Sequence, residues 1–543
     1  MRRTMRLPLV FLLIFVLLQA CTDPKVPTIV VVKNDETYAP ARVRRVMDKW
    51  QQATFNFFYQ GASPTGMALE GNERGDVVTT GGTGFGIMAL IVGAERGYIG
   101  REEASAQVRK IVRFLGKAER FKGVWSHWYN PDGTAHPFGD QVKTGDLIET
   151  GFLMAGLLTA SEYFTATTGV EPEIRDSVHS FWETIDWNAY TNGRPYLHWL
   201  WYSQSNRYEL PIRGWHEGWI SYLLALAAPG EHAIPAAVYQ NGWLKEGSIA
   251  QPSRQFYGYN LPMGEAYGGP LFFAHYSFLG IDPRNLEDSY VNFWNQNVAH
   301  TMINRHYCVY EAPKEYKYSA TDWGLTACYG AKPPLWNYSA RSPSNDDGVI
   351  APTASLGSYP YTPFYSTQML LRLDEYPPAH GSYGFADAYA PSTATSEKKH
   401  LAIDQGPVVV MMENYRSGLI WSLLMKNDRI RQALQLAGVK TQPSYSDGFI
   451  RALTNVATGE YDLMRHPDRE NYELDIFSTR AGQARLQLNN ADGKPAMDTT
   501  FAVGAGEHRF VTGVNSKIIS GKRYTATLTT PAGKSSVLTL RLR

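Results

Sequence analysis

Gly145-Asp-Leu-Ile-Glu149-Thr-Gly-Phe-Leu-Met-Ala-Gly-Leu-Leu-Thr-Ala-Ser-Glu-Tyr163 is the stretch that decides the fold. Between Glu149 and Glu162 it holds no charged residue, so a helix built from it has no polar face and must be buried on every side. Its opening is the exception. Asp146 and Glu149 stand at i and i+3, on one face of one turn, where like charges resist joint ionisation. A buried helix tolerates that repulsion where acid and base chemistry uses the resulting split in pKa. The competing reading is an N-terminal turn whose acids complement the helix dipole. A third acid follows in Gly214-Trp-His-Glu217-Gly-Trp.

Outward from this segment, from residue 41 to about 436, the helical period dominates. Two kinds of helix alternate. Residues 41–59, 101–117, 171–185, 285–302 and 426–437 are amphipathic and charged. Residues 83–94, 146–163, 215–228, 267–279, 353–371 and 402–414 are apolar nearly all round and rich in Gly and Ala. Six buried helices, each followed by a more exposed one, predict an all-α (α/α)6 barrel over 41–437. The outer partners near 231–243 and 377–390 are weakly periodic. With one outer helix between each inner pair, all inner helices run the same way and their starts converge on one mouth. The segments feeding those starts hold the densest polar and aromatic clusters, among them Asp76 to Thr83, Gly123-Val-Trp-Ser-His-Trp-Tyr and Arg213 to Glu217. Such convergence is the pattern of an active site.

From about 470 to 543 the period changes. Short alternating runs at 472–477, 484–488, 500–503, 509–511, 524–529 and 536–542 are separated by Gly, Asn, Asp and Pro. They predict a small antiparallel β-sandwich, joined to the barrel by a connecting segment, 438–469. Its expected role is a structural appendage. The alternative, a carbohydrate-binding module, has no Trp there for sugar stacking.

Lys+Arg at 52 against Asp+Glu at 51 leaves a net charge of +1, and no basic stripe stands out, which argues against nucleic acid as a partner. Aromatic residues reach 13%, with 14 Trp and 33 Tyr, suiting a site that stacks flat faces on a neutral sugar, although a large helical core also consumes aromatics. Arg2, Arg3 and Arg6 precede an apolar run from Leu7 to Leu18 that ends Leu18-Gln-Ala-Cys21. This reads as a lipoprotein signal peptide, 1–20, with Cys21 as the acylated residue. Residues 21–40 read as a tether. The expected location is the bacterial cell envelope, with a lipid anchor as the only membrane contact. Cys308 and Cys328 remain, read as two buried free thiols in preference to a disulfide. No His-Glu-x-x-His, Cys-x-x-Cys or calcium-loop pattern occurs, so no metal and no other cofactor is indicated.

Thr83-Gly-Phe-Gly-Ile, Gly145-Asp-Leu-Ile-Glu-Thr-Gly-Phe-Leu, Gly214-Trp-His-Glu, Tyr267-Gly-Gly-Pro-Leu-Phe-Phe-Ala-His, Asp322-Trp-Gly-Leu-Thr-Ala and Ile403-Asp-Gln-Gly-Pro with Glu413-Asn-Tyr-Arg stand in this order along residues 45–425. As a set they resemble the bacterial glucoamylase-like hydrolases, and within them glycoside hydrolase family 144, the endo-β-1,2-glucanases. The resemblance implies an (α/α)6 barrel and metal-free hydrolysis of β-1,2-linked glucans with inversion at the anomeric carbon. Two places depart from it: Gln141-Val-Lys-Thr-Gly145, where the family carries a further Asp and a Gly pair, and His216, where it tends to have Asn.

Inverting hydrolysis needs a protonated acid and a water-activating carboxylate about 6.5–9.5 Å apart. Asp146, Glu149 and Glu217 match the family's acidic positions. One of Glu149 and Glu217 is expected to be the acid, with the base among the remaining two. Burial beside Trp215 and Trp219 is expected to raise Glu217 and favour it as the acid. Arg213, Trp215, Tyr267 and Trp323 are sugar-binding candidates, the aromatic ones by stacking, with packing as the alternative. Glu265 bonds a sugar hydroxyl or begins a helix. Asp404 caps a helix start or contacts sugar, and His275 is a sugar contact or a satisfied core residue. Two other classes compete. A polysaccharide lyase needs a Tyr or His base with cationic neutralisation, and a surface-tethered glycan receptor needs the aromatics without paired acids.

Overall fold

A computed structural model describes residues 29–32, 41–73, 75–137, 143–331, 337–441, 448–450, 453–455, 460–462, 464–465, 471–504, 506–513 and 522–541. The expected signal run, Cys21 and the segment just before Lys143 lie outside the described residues.

The deciding stretch is helical as read: α4 spans Leu147–Tyr163 and is buried along almost its whole length. α2 (Thr80–Glu95) is equally enclosed, and the two pack side by side. Glycine makes that approach possible. A Cβ on Gly84 would stand 2.3 Å from the Phe152 carbonyl oxygen, and one on Gly156 2.2 Å from the Gly84 carbonyl oxygen. α6 (Trp219–Ala227) is buried at every position and packs on α4, while the buried helix Ala402–Arg416 packs on α2. Outside them lie the amphipathic α1 (Ala41–Tyr59), α3 (Arg101–Leu115) and α5 (Glu171–Thr184), which show one face to the core.

The inner starts meet. Gly81 N–H, in the first turn of α2, donates to Glu149 Oε2 in the first turn of α4 at 2.7 Å. Ser221 Oγ of α6 donates to the Leu147 carbonyl, Ile220 N–H donates to Ser277 Oγ, and Ala402 N–H donates to the Glu70 carbonyl. These bonds tie the openings of four inner elements, and the segment at Ser277, to one end of the body.

The other half departs from regular helix. The expected helix 267–279 is two 3-10 turns, Leu271–Ala274 and Ser277–Leu279, because Tyr267, Gly268 and Gly269 all have positive φ and Pro270 follows. The expected helix 353–371 splits into Pro352–Leu356 and Pro363–Asp374. Pro360 and Pro363 stand at the break and cannot supply the N–H donors that would continue the first turn. Likewise 285–302 becomes Phe293–His306, whose start is capped by Asn292. The weak outer partners are short turns around Tyr239–Trp243 and an antiparallel pair, His380–Gly381 with Gly384–Phe385.

Beyond the helices lie two larger sheets. One orders Ile29–Val32, Gly506–Gly513, Asn471–Ser478 and Gly448–Ile450, with Met464–Arg465 also on Asn471–Ser478. The other runs Pro495–Val503, Gly482–Asn490, Arg523–Thr529, Ser535–Arg541, Glu460–Asp462, Leu453–Asn455, Tyr259–Asn260 and Gln255–Phe256. All six predicted strands are present. Leu474 and Ile476 of the first sheet share an apolar cluster with Leu486, Leu488, Phe501 and Leu528 of the second.

Two expectations need correction here. Ile29–Val32, within the predicted tether, pairs with Arg509–Thr512, as a β-branched run can. The connecting segment supplies strands to both sheets, one of them parallel to Ser535–Arg541. Both remaining thiols are free and buried, as read.

Candidate active site

Where the inner starts meet, the surface opens into a cleft of about 370 Å³. Three acids line it: Glu70, Glu149 and Glu217, with His127 beside them. Its apolar walls include Phe152, Trp128, Trp199, Phe272, Tyr276, Tyr329 and Tyr338. Among the described residues, no lysine or arginine lines it.

Each acid is placed by its local chain. Asp146 ends the strand Thr144–Asp146 and caps α4: its Oδ1 accepts the Glu149 N–H at 3.0 Å. Its Oδ2 lies 2.9 Å from His127 Nδ1. With both oxygens engaged and no exposed surface, Asp146 holds His127 and the helix start. The capping reading of the opening motif holds for Asp146.

His127 sits one residue before Trp128, which pairs with Thr79 across a short antiparallel ladder, and Thr80 N–H donates to the His127 carbonyl. The ring thus stands against the start of α2.

Burial pushes Glu149 up to about 7, reinforced by the Asp146 and Glu70 charges and opposed by His127 and by the Gly81 N–H. Burial works against charge on His127, but Glu149, Asp146 and Glu70 outweigh it and lift the ring to about 9. The Glu149 and His127 charges support each other, while burial and the neighbouring carboxylates oppose ionisation of Glu149.

Glu217 reaches the cleft from the segment before α6. That helix begins at Trp219, four residues later than expected, and leaves Glu217 on an irregular approach. Its Oε2 lies 3.3 Å from His216 Nδ1. His216 Nδ1 also accepts the Gly218 N–H, and the ring plane lies within 7° of Trp199 at 6.4 Å.

Glu217 is buried, as Glu149 is. Trp215 packs against Trp243, Phe278 and Phe293, and Trp219 stacks on Phe293.

The remaining candidates part company. Asp404 lies beneath the cleft, where Tyr276 Oη donates to its Oδ1 at 3.0 Å. Trp323 has no exposed surface and belongs to the second apolar core. His275 is core as well: Nε2 lies 2.8 Å from Ser358 Oγ, and burial pushes the ring down to about 3. Those two, with Trp215, are corrected from sugar contacts to packing. Each ring is buried, which removes the face a sugar would need.

Tyr267 rests on Phe256 and donates to Glu311. Arg213 is exposed over Tyr196, and Glu265 is exposed near Gly268. None of these three lines the cleft.

The sequence reading missed Glu70, His127, Trp199 and Tyr276. The alternating Leu197-His-Trp-Leu-Trp-Tyr202 was the available signal for Trp199. It forms a strand paired with Arg207–Ile212 and Thr144–Asp146.

The inner helix starts thus gather around an aromatic cleft lined by acids. The family described as "Putative glucoamylase" matches residues 209–428. An exo β-1,2-glucooligosaccharide sophorohydrolase of Parabacteroides distasonis is 37% identical over 431 residues, 74% of this chain. The chain spans 58% of that relative. The structure of an endo-β-1,2-glucanase of Chitinophaga pinensis, in complex with sophorotriose and glucose, superposes with a TM-score of 0.69 at 42% identity. The match covers 73% of this chain and 98% of that one. A β-1,2-glucanase structure from Parabacteroides distasonis gives 0.68 at 35% identity, covering 74% and 60%. The chain belongs to the glucoamylase-like family of glycoside hydrolases.

Proposed function

We propose that this protein hydrolyses a neutral β-glucan, β-1,2-linked, by an inverting acid/base mechanism in the cleft. The observation that carries the reading is that Glu149 and Glu217, from separate inner segments, line one aromatic cavity. Inversion requires one carboxyl that arrives protonated and one that takes the proton of an attacking water. Glu149, held up to about 7, keeps its proton near neutrality, and Glu217 is its partner. Asp146 and His127 are positioning residues that fix Glu149. Trp128 and Trp199 offer flat faces to pyranose rings. The β-1,2 linkage is drawn from the Chitinophaga and Parabacteroides relatives. A lyase acting on uronates needs cationic neutralisation, and the absence of lysine and arginine from the described lining argues against it.

The architecture we assign is an (α/α)6 barrel over 41–437, closed by the broken segments around 271–279 and 352–374. The two C-terminal sheets then form the β-sandwich, and Cys21 anchors the chain to the envelope. Incubation with linear β-1,2-, β-1,3- and β-1,4-glucans tests the function. Reducing ends should appear from the β-1,2 polymer alone, and product lengths will separate internal cleavage from release of disaccharide. Binding with no reducing-end release from any glucan would support a receptor instead.

A further inference from the structure

Beneath the cleft two more carboxyls meet with no surface exposed to speak of: Asp404, in the first turn of Ala402–Arg416, at 0% and Asp387 at 2%. Asp404 Oδ1 accepts the Tyr276 hydroxyl, and Asp387 Oδ2 accepts the Tyr329 N–H at 2.6 Å. Each carboxyl has one oxygen left over, Asp404 Oδ2 and Asp387 Oδ1, buried with no donor from the protein. The two side chains are within hydrogen-bonding reach of each other.

Two ionised carboxylates cannot sit so in a buried site, because each leaves a desolvated charge beside a like charge. One proton between them supplies the missing donor. Tyr276 and Tyr329, the residues tied to this pair, both line the cleft.

We propose that Asp387 is a positioning residue that shares a single proton with Asp404, and that the bridged pair fixes Tyr276 and Tyr329 as one wall of the cleft. The proposal rests on the reading of that cleft as the site of reaction. The charged and titratable groups around the pair are few. Arg341 draws Asp387 down through space, but its guanidinium fork closes on Asp347. Glu70 and Glu73 add negative charge, and Cys328, raised by burial, and the exposed Tyr338 face the pair as neutral groups. Burial pushes Asp387 up to about 6 and Asp404 well above the carboxylate range. The pair therefore titrates as a unit and keeps one proton through neutrality. Loss of that proton in alkali forces the carboxyls apart and moves the tyrosines.

Asp387→Asn is the test, because an amide can accept from the Tyr329 N–H and donate to Asp404 Oδ2 at every pH. In wild-type protein at neutral pH, the infrared difference against Asp387→Asn should show the carbonyl stretch of a protonated carboxylic acid. KM for β-1,2-gluco-oligosaccharide should rise in alkali in wild type and stay flat in Asp387→Asn, while the fall in kcat that belongs to Glu149 persists in both. Asp387→Ala, which strands both partners, should raise KM about tenfold at neutral pH. A missing infrared band, or an Asp387→Asn variant whose KM keeps the alkaline rise, overturns the shared proton. If no glucan is turned over by any variant while the band is present, the assignment of the cleft fails and the proton bridge stands.

Discussion

The two halves of the helical body are built differently. On one side α2, α4, α6 and Ala402–Arg416 are uninterrupted, and Gly84 and Gly156 let α2 and α4 meet backbone to backbone. On the other, between Tyr267 and Asp374, Gly and Pro break the chain on either side of Phe293–His306, and a polar cluster is buried beside the second apolar core. His275, His300, Asn297, Thr301 and Ser358 are all buried there and wired by side-chain hydrogen bonds. The regular half brings Glu149, because its helix start is fixed against the Gly81 N–H of the neighbouring start. The broken half brings Phe272, Tyr276, Tyr329 and Tyr338 to the cleft, because irregular backbone can turn a large side chain toward a cavity that a straight helix would pass. Rigid placement of charge and adaptable placement of surface are thus divided between two kinds of chain.

The largest effect that can break this division is loss of chemistry. Glu149→Gln and Glu217→Gln should each lower kcat by roughly 10²- to 10⁴-fold, with an unchanged circular dichroism spectrum and melting temperature. With Glu149 as the proposed acid, held up to about 7, wild-type kcat should fall as pH rises through about that value, and a pH–rate profile checks this. Next comes the regular half's packing. Gly84→Leu would drive a side chain into the Phe152 carbonyl and should cost about 3 kcal/mol or more, read by urea unfolding.

The broken half responds more mildly. His275→Ala leaves Ser358 without its ring partner and should cost about 1–3 kcal/mol while leaving KM for glucan unchanged; a raised KM would return His275 to the sugar contacts. Smallest is Trp323→Phe. Its indole N–H makes no hydrogen bond, so the loss should stay near 1 kcal/mol, without effect on activity.

Legibility in the sequence followed the same divide. Residues 146–163 and 41–59 could be read almost to the residue because an all-apolar or cleanly amphipathic period has one solution. The stretch 267–279 is as apolar, but Gly268-Gly269-Pro270 breaks its start and 3-10 turns replace the helix. Positive φ at Tyr267 is a property of the turn it closes, and nothing in a hydrophobic pattern announces it. The acids at helix starts were found through their spacing, whereas Glu70 and His127 stand on short loops and are brought to Glu149 only by tertiary contact. Trp215 and Trp323 misled for a related reason: an aromatic beside a motif is read as a stacking face, and the packing of Trp215 on Phe278 and Phe293 is visible only in three dimensions.

The account turns on Glu149 and Glu217 acting on the same sugar linkage from opposite segments. A crystal structure of Glu217→Gln soaked with a β-1,2-gluco-oligosaccharide tests it most directly. A glycosidic oxygen should lie between Glu149 and the substituted side chain, with pyranose rings against Trp128 and Trp199. An oligosaccharide bound productively elsewhere, with neither residue in contact with a scissile bond, would contradict it.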